Sequence, residues 1–505
     1  MQFIKEYLGK GYLFESALVQ FFREALERGV SEDELSSLTS KIINIRASRL
    51  VSKEFFFEKL MDLSGEFSES LKAYFGKVEI KKEEPEKIRE EVKEVEILEE
   101  YDFKPKKIAV EDFVKYFRDR YAFLKELLQE RHLEGLCRIG KLSGQQRQVT
   151  IIGMVYDKRV TKNKNVILEL EDLTGRVNVL IRQSNHDLIE KAKDLILDEV
   201  IAIQGTGSNE IVFANDVIFM DVVKDIKRAP EETYAAFIAD VHVGSAKFLE
   251  SNFLRFIDWL NGEIGSDKQK ELAKKIRYLF ILGDNIDGVG VYPRQEPELI
   301  IKDIYAQYAY LSDMLKKIRK DVFIILCAGG KHDSVCHVEP QPKIPKDIAP
   351  GLYEMENLIM TTNPSYVRIA QSKAFSGIDV LIYHGDSFDY YMDKADSLRE
   401  ANSKMKPDLI MHFLLKKRHL APSHTSTTYH PSENDFLAIK KVPDVFVAGH
   451  IHKSGVSRYN GVLTISCACW QSKTSYQEKF GHEPDPCKVP LLNLKTGKAS
   501  ILDFS

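Results

Sequence analysis

The segment Tyr278-Leu279-Phe280-Ile281-Leu282-Gly283-Asp284 decides the fold class, because a short apolar run ends there in a Gly-Asp pair. Residues 235–240 (AAFIAD), 380–386 (VLIYHGD) and 444–452 (DVFVAGHIH) are also apolar runs that lead into aspartate or histidine, and residues 323–330 (FIILCAGG) lead into a Lys-His-Asp sequence in the same way. An apolar run of this length predicts a buried strand, and the polar residues after it predict a loop at the strand end. The sequence therefore predicts several strands that each end in a site-bearing loop.

Carboxylates and imidazoles follow these strands. They are Asp240, His242, Asp284, His332, Asp333, His384, His450 and His452. Such groups, delivered by several strand ends, can hold a pair of divalent cations about 3.5–4 Å apart, which indicates phosphoester hydrolysis by metal-bound hydroxide. The alternative is a set of core histidines and turn caps, which are common for any one segment alone. All five segments in this order favour the metal site.

The five segments resemble the motif series of the calcineurin-like metallophosphoesterases. Three further stretches narrow the match: residues 414–422 (LLKKRHLAP), residues 339–342 (EPQP), and Trp470-Gln471 followed by Thr474 and Gln477. With these stretches, residues 133–505 resemble the small subunits of archaeal family D DNA polymerases. Those subunits are similar in turn to the B subunits of eukaryotic replicative polymerases.

The resemblance implies two cations that share one carboxylate. The ligands of the first cation would be Asp240, His242 and His452. Asp284 would bridge to the second cation, which His384 and His450 would also hold. Manganese suits a mixed imidazole and carboxylate site, and iron, cobalt or zinc would also fit these ligands. His332 would lie outside the coordination shell and protonate the leaving 3′ oxygen or steady the phosphate, with Asp333 fixing its tautomer.

Lys331 departs from the family pattern, which has an asparagine ligand of the second cation at this position. A protonated lysine has no lone pair and brings positive charge toward a cation. Three interpretations stay open: a working two-metal site with Lys331 turned away, a weakened or one-metal nuclease, and an inactive site kept as a scaffold. The other ligand positions all carry an aspartate or a histidine, which favours a catalytically active site.

A second open question concerns the basic stretch Lys416-Lys417-Arg418. Cations near a phosphoesterase site would hold a DNA backbone. A basic run after an apolar pair is equally typical of the solvated carboxyl end of a helix, where the helix dipole favours positive charge. The sequence does not decide between the two.

Composition sets limits on the class of protein. The chain has 505 residues, 44% of them apolar, a net charge of −4, and six cysteines without a CxxC pair. This length allows two or three domains, the net charge gives no overall basic field, and the cysteines speak against a zinc ribbon or a disulfide framework. The N-terminus lacks the apolar core of a signal peptide, and no apolar run reaches 18 residues. We expect a cytoplasmic, nucleoid-associated protein without a membrane span.

The predicted fold class is multidomain α+β, with four regions. Residues 1–75 form a helical module in which Ser31 and Glu34 make a capping box. Residues 76–110 are a charged linker, residues 111–227 are a helix followed by an OB-fold barrel, and residues 228–505 are the phosphoesterase sandwich. Within the first region, residues 15–22 resemble a sliding-clamp-binding box, although Leu18, Phe21 and Phe22 also have the spacing of ordinary helix core residues.

The barrel assignment rests on a change to period-two patterning. Between residues 147 and 222 the order is three strands, a helix and two strands, which is typical of an OB-fold. Its strands carry few aromatic residues: Tyr156, Phe213 and Phe219. Single-strand binding by such barrels depends on aromatic platforms. A protein-docking barrel is therefore favoured over a single-strand binder.

Three functions follow as hypotheses. The first is the 3′–5′ proofreading exonuclease of a two-subunit replicative DNA polymerase, acting on DNA 3′ ends as a heterodimer with a large catalytic subunit, with a sliding clamp as a further candidate partner. The second is an inactive accessory subunit that binds the large subunit. The third is an independent repair nuclease or small-molecule phosphoesterase, and the barrel and the narrowing stretches count against it.

Overall fold

The computed structural model describes residues 13–14, 22–23, 25–27, 30–43, 50–51, 93–103, 106–131, 133–144, 147–333, 336–432, 434–479 and 481–505. The chain divides into two compact units, Met1–Glu91 and Val92–Ser505.

The Met1–Glu91 unit contains the strands β1 (Leu13–Phe14) and β2 (Leu50–Val51), which pair in parallel, and the helix α1 (Glu32–Ile43). The predicted capping box is confirmed: the Glu34 amide donates to Ser31 Oγ at 3.2 Å, and the Ser31 amide donates to Glu34 Oε2 at 3.2 Å. The clamp-binding segment 15–22 lies outside the described residues except for Phe22. Phe22 is fully buried, which agrees with a core role for this one residue.

The Val92–Ser505 unit begins with β3 (Val95–Glu99) and α2 (Val110–Gln129), and a barrel follows. Its elements are β4 (Leu136–Cys137), β5 (Arg147–Val160), β6 (Val166–Asp172), β7 (Gly175–Ile181), α3 (His186–Lys193), β8 (Val200–Gly207) and β9 (Ile211–Ile218). The strand order is β4-β5-β6-β7-β9-β8, and β8 pairs back onto β5, so the sheet closes. Alternate residues such as Leu168, Val179 and Ile203 are fully buried inside it. The predicted order of three strands, a helix and two strands is confirmed.

The rest of this unit is built on two six-stranded sheets. Their strands are β10 (Tyr234–Ile238), β11 (Ile276–Leu282), β12 (Phe323–Cys327), β13 (Leu358–Thr361), β14 (Ser365–Ile369), β15 (Ile378–Tyr383), β16 (Val445–Ala448), β17 (Gly455–Tyr459), β18 (Val462–Ser466), β19 (Lys488–Asn493) and β20 (Ala499–Asp503). One sheet has the order β13-β12-β11-β10-β19-β20, and the other has the order β17-β18-β16-β15-β14-β3. Within them, β10 to β13 run parallel, as do β15, β16 and β18. The carboxyl ends of the parallel strands in each sheet therefore share one edge.

Side chains from both sheets pack into one apolar core, which includes Phe237 and Phe280 of the first sheet and Val380 and Val447 of the second. Two further apolar cores lie on the other faces, and most of the helices of this region contribute to them. These helices are α4 (Glu250–Leu260), α5 (Asp267–Lys274), α6 (Ile304–Leu315), α7 (Pro350–Tyr353), α8 (Phe388–Lys394), α9 (Asp396–Glu400), α10 (Asp408–Lys417) and α11 (Ser475–Lys479). Helices α4 and α6 pack on the first sheet, and α8 and α10 pack on the second. The two sheets thus lie face to face between helical layers.

Strand β3 corrects the linker interpretation for residues 95–99, whereas residues 76–92 of the predicted linker lie outside the described residues. The high charge of this segment predicts a linker, but Val95–Glu99 pairs antiparallel with β14 and forms the edge of the second sheet. Glu94, just before it, makes two 2.8 Å hydrogen bonds with Arg277 at the start of β11. A segment too charged to fold alone is stabilised here by main-chain pairing and an ion pair with an existing sandwich.

All six cysteines are free thiols, as their spacing predicts. Among the described residues, no helix combines the length and the apolar character that crossing a bilayer requires.

Candidate metal centre

The candidate centre lies where loops from both sheets meet, at the carboxyl ends of the parallel strands. The loop after β10 is tied to the loop after β11, because the Asp240 amide donates to Gly283 O at 3.0 Å. In the second sheet, the Gly449 amide donates to His384 O at 2.9 Å. The two sheets are joined directly, since the His450 amide donates to Asp240 Oδ2 at 3.0 Å. Backbone hydrogen bonds therefore fix the loops that carry the predicted ligands.

Five of the six predicted ligands have left-handed backbones. The φ angles are 54° at Asp240, 54° at His242, 45° at Asp284, 71° at His450 and 58° at His452. This region is unfavourable for residues with a Cβ atom, and such residues concentrate at functional sites because only the surrounding structure can hold them there. Backbone strain thus marks the same positions as the sequence motifs.

The first group consists of Asp240, His242 and His452, all buried, with their ligand atoms within 4.8 Å of one another. His452 Nε2 lies 3.3 Å from Asp240 Oδ1 and 3.3 Å from His242 Nε2. The family resemblance implies this same trio for the first cation, and the structure brings the three side chains together.

Asp284 lies between the first group and the second. Its Oδ2 is 3.9 Å from His242 Nε2 and 3.5 Å from His384 Nε2. Within the described part of the chain, Asp284 Oδ1 and His384 Nε2 are both buried and neither has a hydrogen-bond partner. Unsatisfied buried polar atoms are costly, and a divalent cation would satisfy both at once. The residues therefore fit a cation at the bridging position.

The second group consists of His384, Asp386 and His450. His384 Nδ1 lies 2.8 Å from Leu282 O, so this nitrogen carries the proton and Nε2 is left to face the group. His450 Nε2 lies 3.1 Å from Asp389 Oδ2. A half-buried carboxylate, Asp386, thus joins the two predicted imidazoles.

The electrostatics of the centre favour a cation. Burial opposes positive charge on His384, yet Asp284 and Asp240 outweigh it and raise its pKa well above the ordinary value. Burial also opposes the charge of Asp284, but His332 and His384 hold its pKa well below the ordinary value. The carboxylates that favour positive charge on this buried imidazole would also attract a divalent cation.

His332 and Asp333 sit differently from the expectation. His332 Nδ1 lies 2.8 Å from Asp287 O and 3.9 Å from Asp287 Oδ1, so Asp287, and not Asp333, orients the ring. The Asp333 carboxylate instead accepts hydrogen bonds from the Asn285 side chain and from the Gly329 amide. Burial and the nearby charge of Asp284 raise the pKa of Asp333 to about 7. The proposed tautomer-fixing role of Asp333 is therefore wrong, and this residue braces two site loops.

A pocket of about 290 Å³ opens over these groups. His332, His450 and His482 line it, and Lys331 lies at its wall with an exposed side chain. Gly330, the residue before Lys331, lies so close to Asp284 and His384 that a Cβ atom would collide with both. The loop thus approaches the centre through its backbone, while the lysine side chain reaches solvent.

Comparison with known proteins identifies the family of this chain. The family model for the B subunit of DNA polymerases alpha and epsilon matches residues 296–456. The DNA polymerase II small subunit of Methanothermobacter thermautotrophicus is 41% identical over 78% of this chain and 79% of its own length. The corresponding small subunits of Pyrococcus furiosus and Halobacterium salinarum are each 37% identical, over 79% and 78% of this chain and 64% and 75% of theirs. The chain belongs to the archaeal DNA polymerase II small subunits.

Trp470, Gln471 and Gln477, which are among the residues that narrowed the match to these small subunits, lie beside the centre. Trp470 is buried against Phe253 and Phe256 of α4, and its amide donates to Asp240 O at 2.9 Å. The Gln471 side chain lies 3.2 Å from Asp287 Oδ1, and the Gln477 side chain lies 2.8 Å from His452 Nδ1. Trp470, Gln471 and Gln477 therefore position the ligand loops through hydrogen bonds.

The basic stretch Lys416-Lys417-Arg418 is neither a phosphate-facing patch nor a solvated helix end. It does end α10, but Lys417 is 1% exposed and its Nζ lies 2.5 Å from Glu199 Oε2 of the barrel. Lys416 pairs with Asp194, and buried Arg418 donates to Ile439 O. Lys416 and Lys417 therefore join the barrel to the sandwich, and Arg418 binds within the sandwich. These contacts count against the DNA contact considered for this stretch.

Three carboxylates at the centre were missed by the sequence reasoning: Asp287, Asp386 and Asp389. Asp287 follows Asp284 by three residues and contacts both His242 and His332. Asp386 stands in the quoted His-Gly-Asp motif, and Asp389 lies in the first turn of the next helix. Their signal was proximity to a motif, which does not distinguish a site carboxylate from a turn or helix cap.

Proposed function

We propose that this small subunit carries a manganese-dependent 3′–5′ exonuclease that proofreads for a two-subunit replicative polymerase. The supporting observation is the gathering of six predicted ligands into two adjoining groups that share the buried, unsatisfied Asp284. The exposed side chain of Lys331 favours the interpretation in which the lysine is turned away from the cations.

The protein groups can be given distinct tasks. The two cations would supply a water of lowered pKa and neutralise charge on the phosphoryl oxygens. His332 would protonate the leaving 3′ oxygen or steady the phosphate, and its ring is oriented by Asp287 O, 2.8 Å from Nδ1. Asp287 Oδ1, 3.9 Å from Nδ1, would favour positive charge on this ring.

The fold and the membership in the small-subunit family support a large polymerase subunit and DNA as partners. The closed barrel has the strand order of an OB-fold, and the facing sheets with outer helices have the layering of a calcineurin-like phosphoesterase. In the proposed heterodimer a large subunit supplies the polymerising site, and the small subunit receives DNA 3′ ends in the nucleoid. A sliding clamp is a further proposed partner.

The decisive experiment follows a 5′-labelled single-stranded DNA with the purified chain in Mn²⁺. Wild type should shorten the strand stepwise from the 3′ end, and His450→Ala should reduce this activity by at least about a hundredfold, because it removes a ligand. His186→Ala, which removes an exposed histidine of the barrel, is the matched control and should retain the wild-type rate.

The second candidate function is an inactive scaffold subunit, and Lys331 is the observation that favours it. A cationic side chain at the pocket wall could exclude a cation or bind the phosphate unproductively. No cleavage by wild type, with activity appearing in Lys331→Asn, would establish this scaffold function. Equal activity in wild type and Lys331→Asn would exclude it.

A further inference from the structure

We infer that Asp386 is a ligand of the second cation, together with His384, His450 and the bridging Asp284. The inference rests on the proposed function, because it deepens the description of the same site. It assigns to Asp386 the oxygen ligand that Lys331 is unable to supply.

Geometry places Asp386 in the second group. Its carboxylate and the ring nitrogens of His384 and His450 lie within 4.8 Å of one another. Strand β15 ends at Tyr383 and α8 begins at Phe388, so His384 and Asp386 share one short turn beside the pocket. Asp386 thus meets the distance requirement for a shared ion.

One carboxylate oxygen of Asp386 accepts no hydrogen bond from the described residues, so it is available as a metal ligand. Asp386 Oδ2 is buried and has no hydrogen-bond partner in the described part of the chain, and the same holds for His384 Nε2, whose side chain is completely buried. A capping role at α8 would consume the carboxylate, but the N-cap residue is Ser387 and the helix has no side-chain cap. An unsatisfied carboxylate oxygen beside an unsatisfied imidazole nitrogen is the arrangement that a cation completes.

The neighbouring loop offers no alternative oxygen among its described residues. Gly330 has no side chain, Lys331 is exposed and carries no lone pair when protonated, and Asp333 is used by Asn285 and Gly329. Asp386, which follows β15 of the second sheet, therefore supplies the oxygen ligand that Lys331, after β12 of the first sheet, lacks. The resulting set of two carboxylates and two imidazoles suits manganese and carries one negative charge more than a set with a neutral amide.

The test counts Mn²⁺ ions bound to the full-length chain, using the electron paramagnetic resonance signal of free Mn²⁺. Wild type should bind two ions per chain. Asp386→Asn should weaken one of the two by at least about tenfold and leave the other unchanged. Asp393→Asn, which alters an exposed carboxylate of the following helix α8, is the matched control and should bind two ions as wild type does.

Lys331→Asn gives an independent check, because the inference predicts two ions in this variant as well. A rise from one ion in wild type to two in Lys331→Asn would overturn the inference, since the lysine would then block the second position. Two ions with wild-type affinities in Asp386→Asn would also overturn it.

Folding and activity are separated from ligation in this design. In EDTA, Asp386→Asn should melt at or above the wild-type temperature, because it removes the charge of a carboxylate whose Oδ2 is buried without a hydrogen-bond partner in the described part of the chain. Added Mn²⁺ should then stabilise it less than it stabilises wild type. The ion count does not depend on nuclease activity, so an inactive wild type that binds two ions contradicts the proposed exonuclease and leaves the assignment of Asp386 intact.

Discussion

The ligand residues are held by backbone geometry as much as by side-chain contacts. Gly449 shows why: a Cβ atom at this position would lie 2.6 Å from Ala239 Cβ and 2.7 Å from Asp240 Oδ2. Only glycine lets the loop of the second sheet come this close to the first metal group. The Gly-His and Gly-Asp pairs of the motifs are thus explained by close approach as well as by turn formation.

His419 shows that another histidine of the sequence motifs has a structural role. It is fully buried, its Nε2 lies 2.9 Å from Asp435 Oδ2, and its Nδ1 accepts a hydrogen bond from the Ala421 amide. A second proton on Nδ1 would face that amide donor, so the ring is held neutral. Burial, together with the nearby charge of Arg120, lowers the pKa of His419 to about 4.

We predict that His419 makes the protein sensitive to mild acid. The unfolded histidine takes up a proton near pH 6.5, whereas the folded one resists protonation down to about pH 4, so the free energy of unfolding falls as the pH drops through this window. The full difference corresponds to about 3 kcal/mol. Urea unfolding at pH 7 and pH 4.5 measures it: His419→Gln should lose less stability between these pH values than wild type. His186→Gln should match wild type, and equal pH dependence in His419→Gln would contradict the prediction.

At the scale of elements, the strands of the barrel and the site-bearing strands could be predicted from the sequence, because period-two patterning and apolar runs are local signals. The docking of α10 onto the barrel could not. Lys417 finds its partner Glu199 on a distant segment, and no local pattern distinguishes such a lysine from a solvated one. The same limit hid Asp287, whose partners His242 and His332 lie on other loops.

The Lys417–Glu199 pair gives a prediction for this interface. Burial lowers the pKa of Lys417 and raises that of Glu199, so each charge depends on the other. Lys417→Met should therefore cost about 3–5 kcal/mol, because it leaves a buried carboxylate unpaired, whereas Lys417→Met combined with Glu199→Leu should restore most of the loss. Urea unfolding of the single and double variants measures the coupling.

The neighbouring pair is the matched control for this cycle. Lys416 and Asp194 are partly exposed, with side-chain accessibilities of 23% and 20%, so Lys416→Met should cost no more than about 1 kcal/mol. If Lys416→Met and Lys417→Met lost similar stability, burial of the Lys417–Glu199 pair would not explain the cost of breaking it.

At the scale of the whole molecule, residues 93–100 join the two sheets of the sandwich. Strand β3 extends the second sheet through β14, while Glu94 pairs with Arg277 and accepts a hydrogen bond from Tyr278 in the first. The sequence could not reveal this, because the segment has the composition of a linker and becomes a strand only through the edge that it meets. The compact unit that holds the centre accordingly begins near residue 92.

This boundary predicts the outcome of truncation. A chain of residues 92–505 should fold, bind Mn²⁺ as the full chain does, and keep the melting temperature of the main transition. A chain of residues 101–505 should melt at least about 5 °C lower, because it loses the edge strand and the ion pair that connects the sheets. Differential scanning calorimetry in EDTA measures both without a contribution from bound metal.

Glu94→Gln in the full-length chain separates the ion pair from the strand. It should lower the melting temperature by less than the 101–505 truncation does, because the β3–β14 hydrogen bonds remain and a half-exposed ion pair contributes little. If the 101–505 chain had the same melting temperature as the 92–505 chain, β3 would not contribute to the stability of the sandwich. A 92–505 chain that failed to fold would instead mean that the centre depends on the first 91 residues.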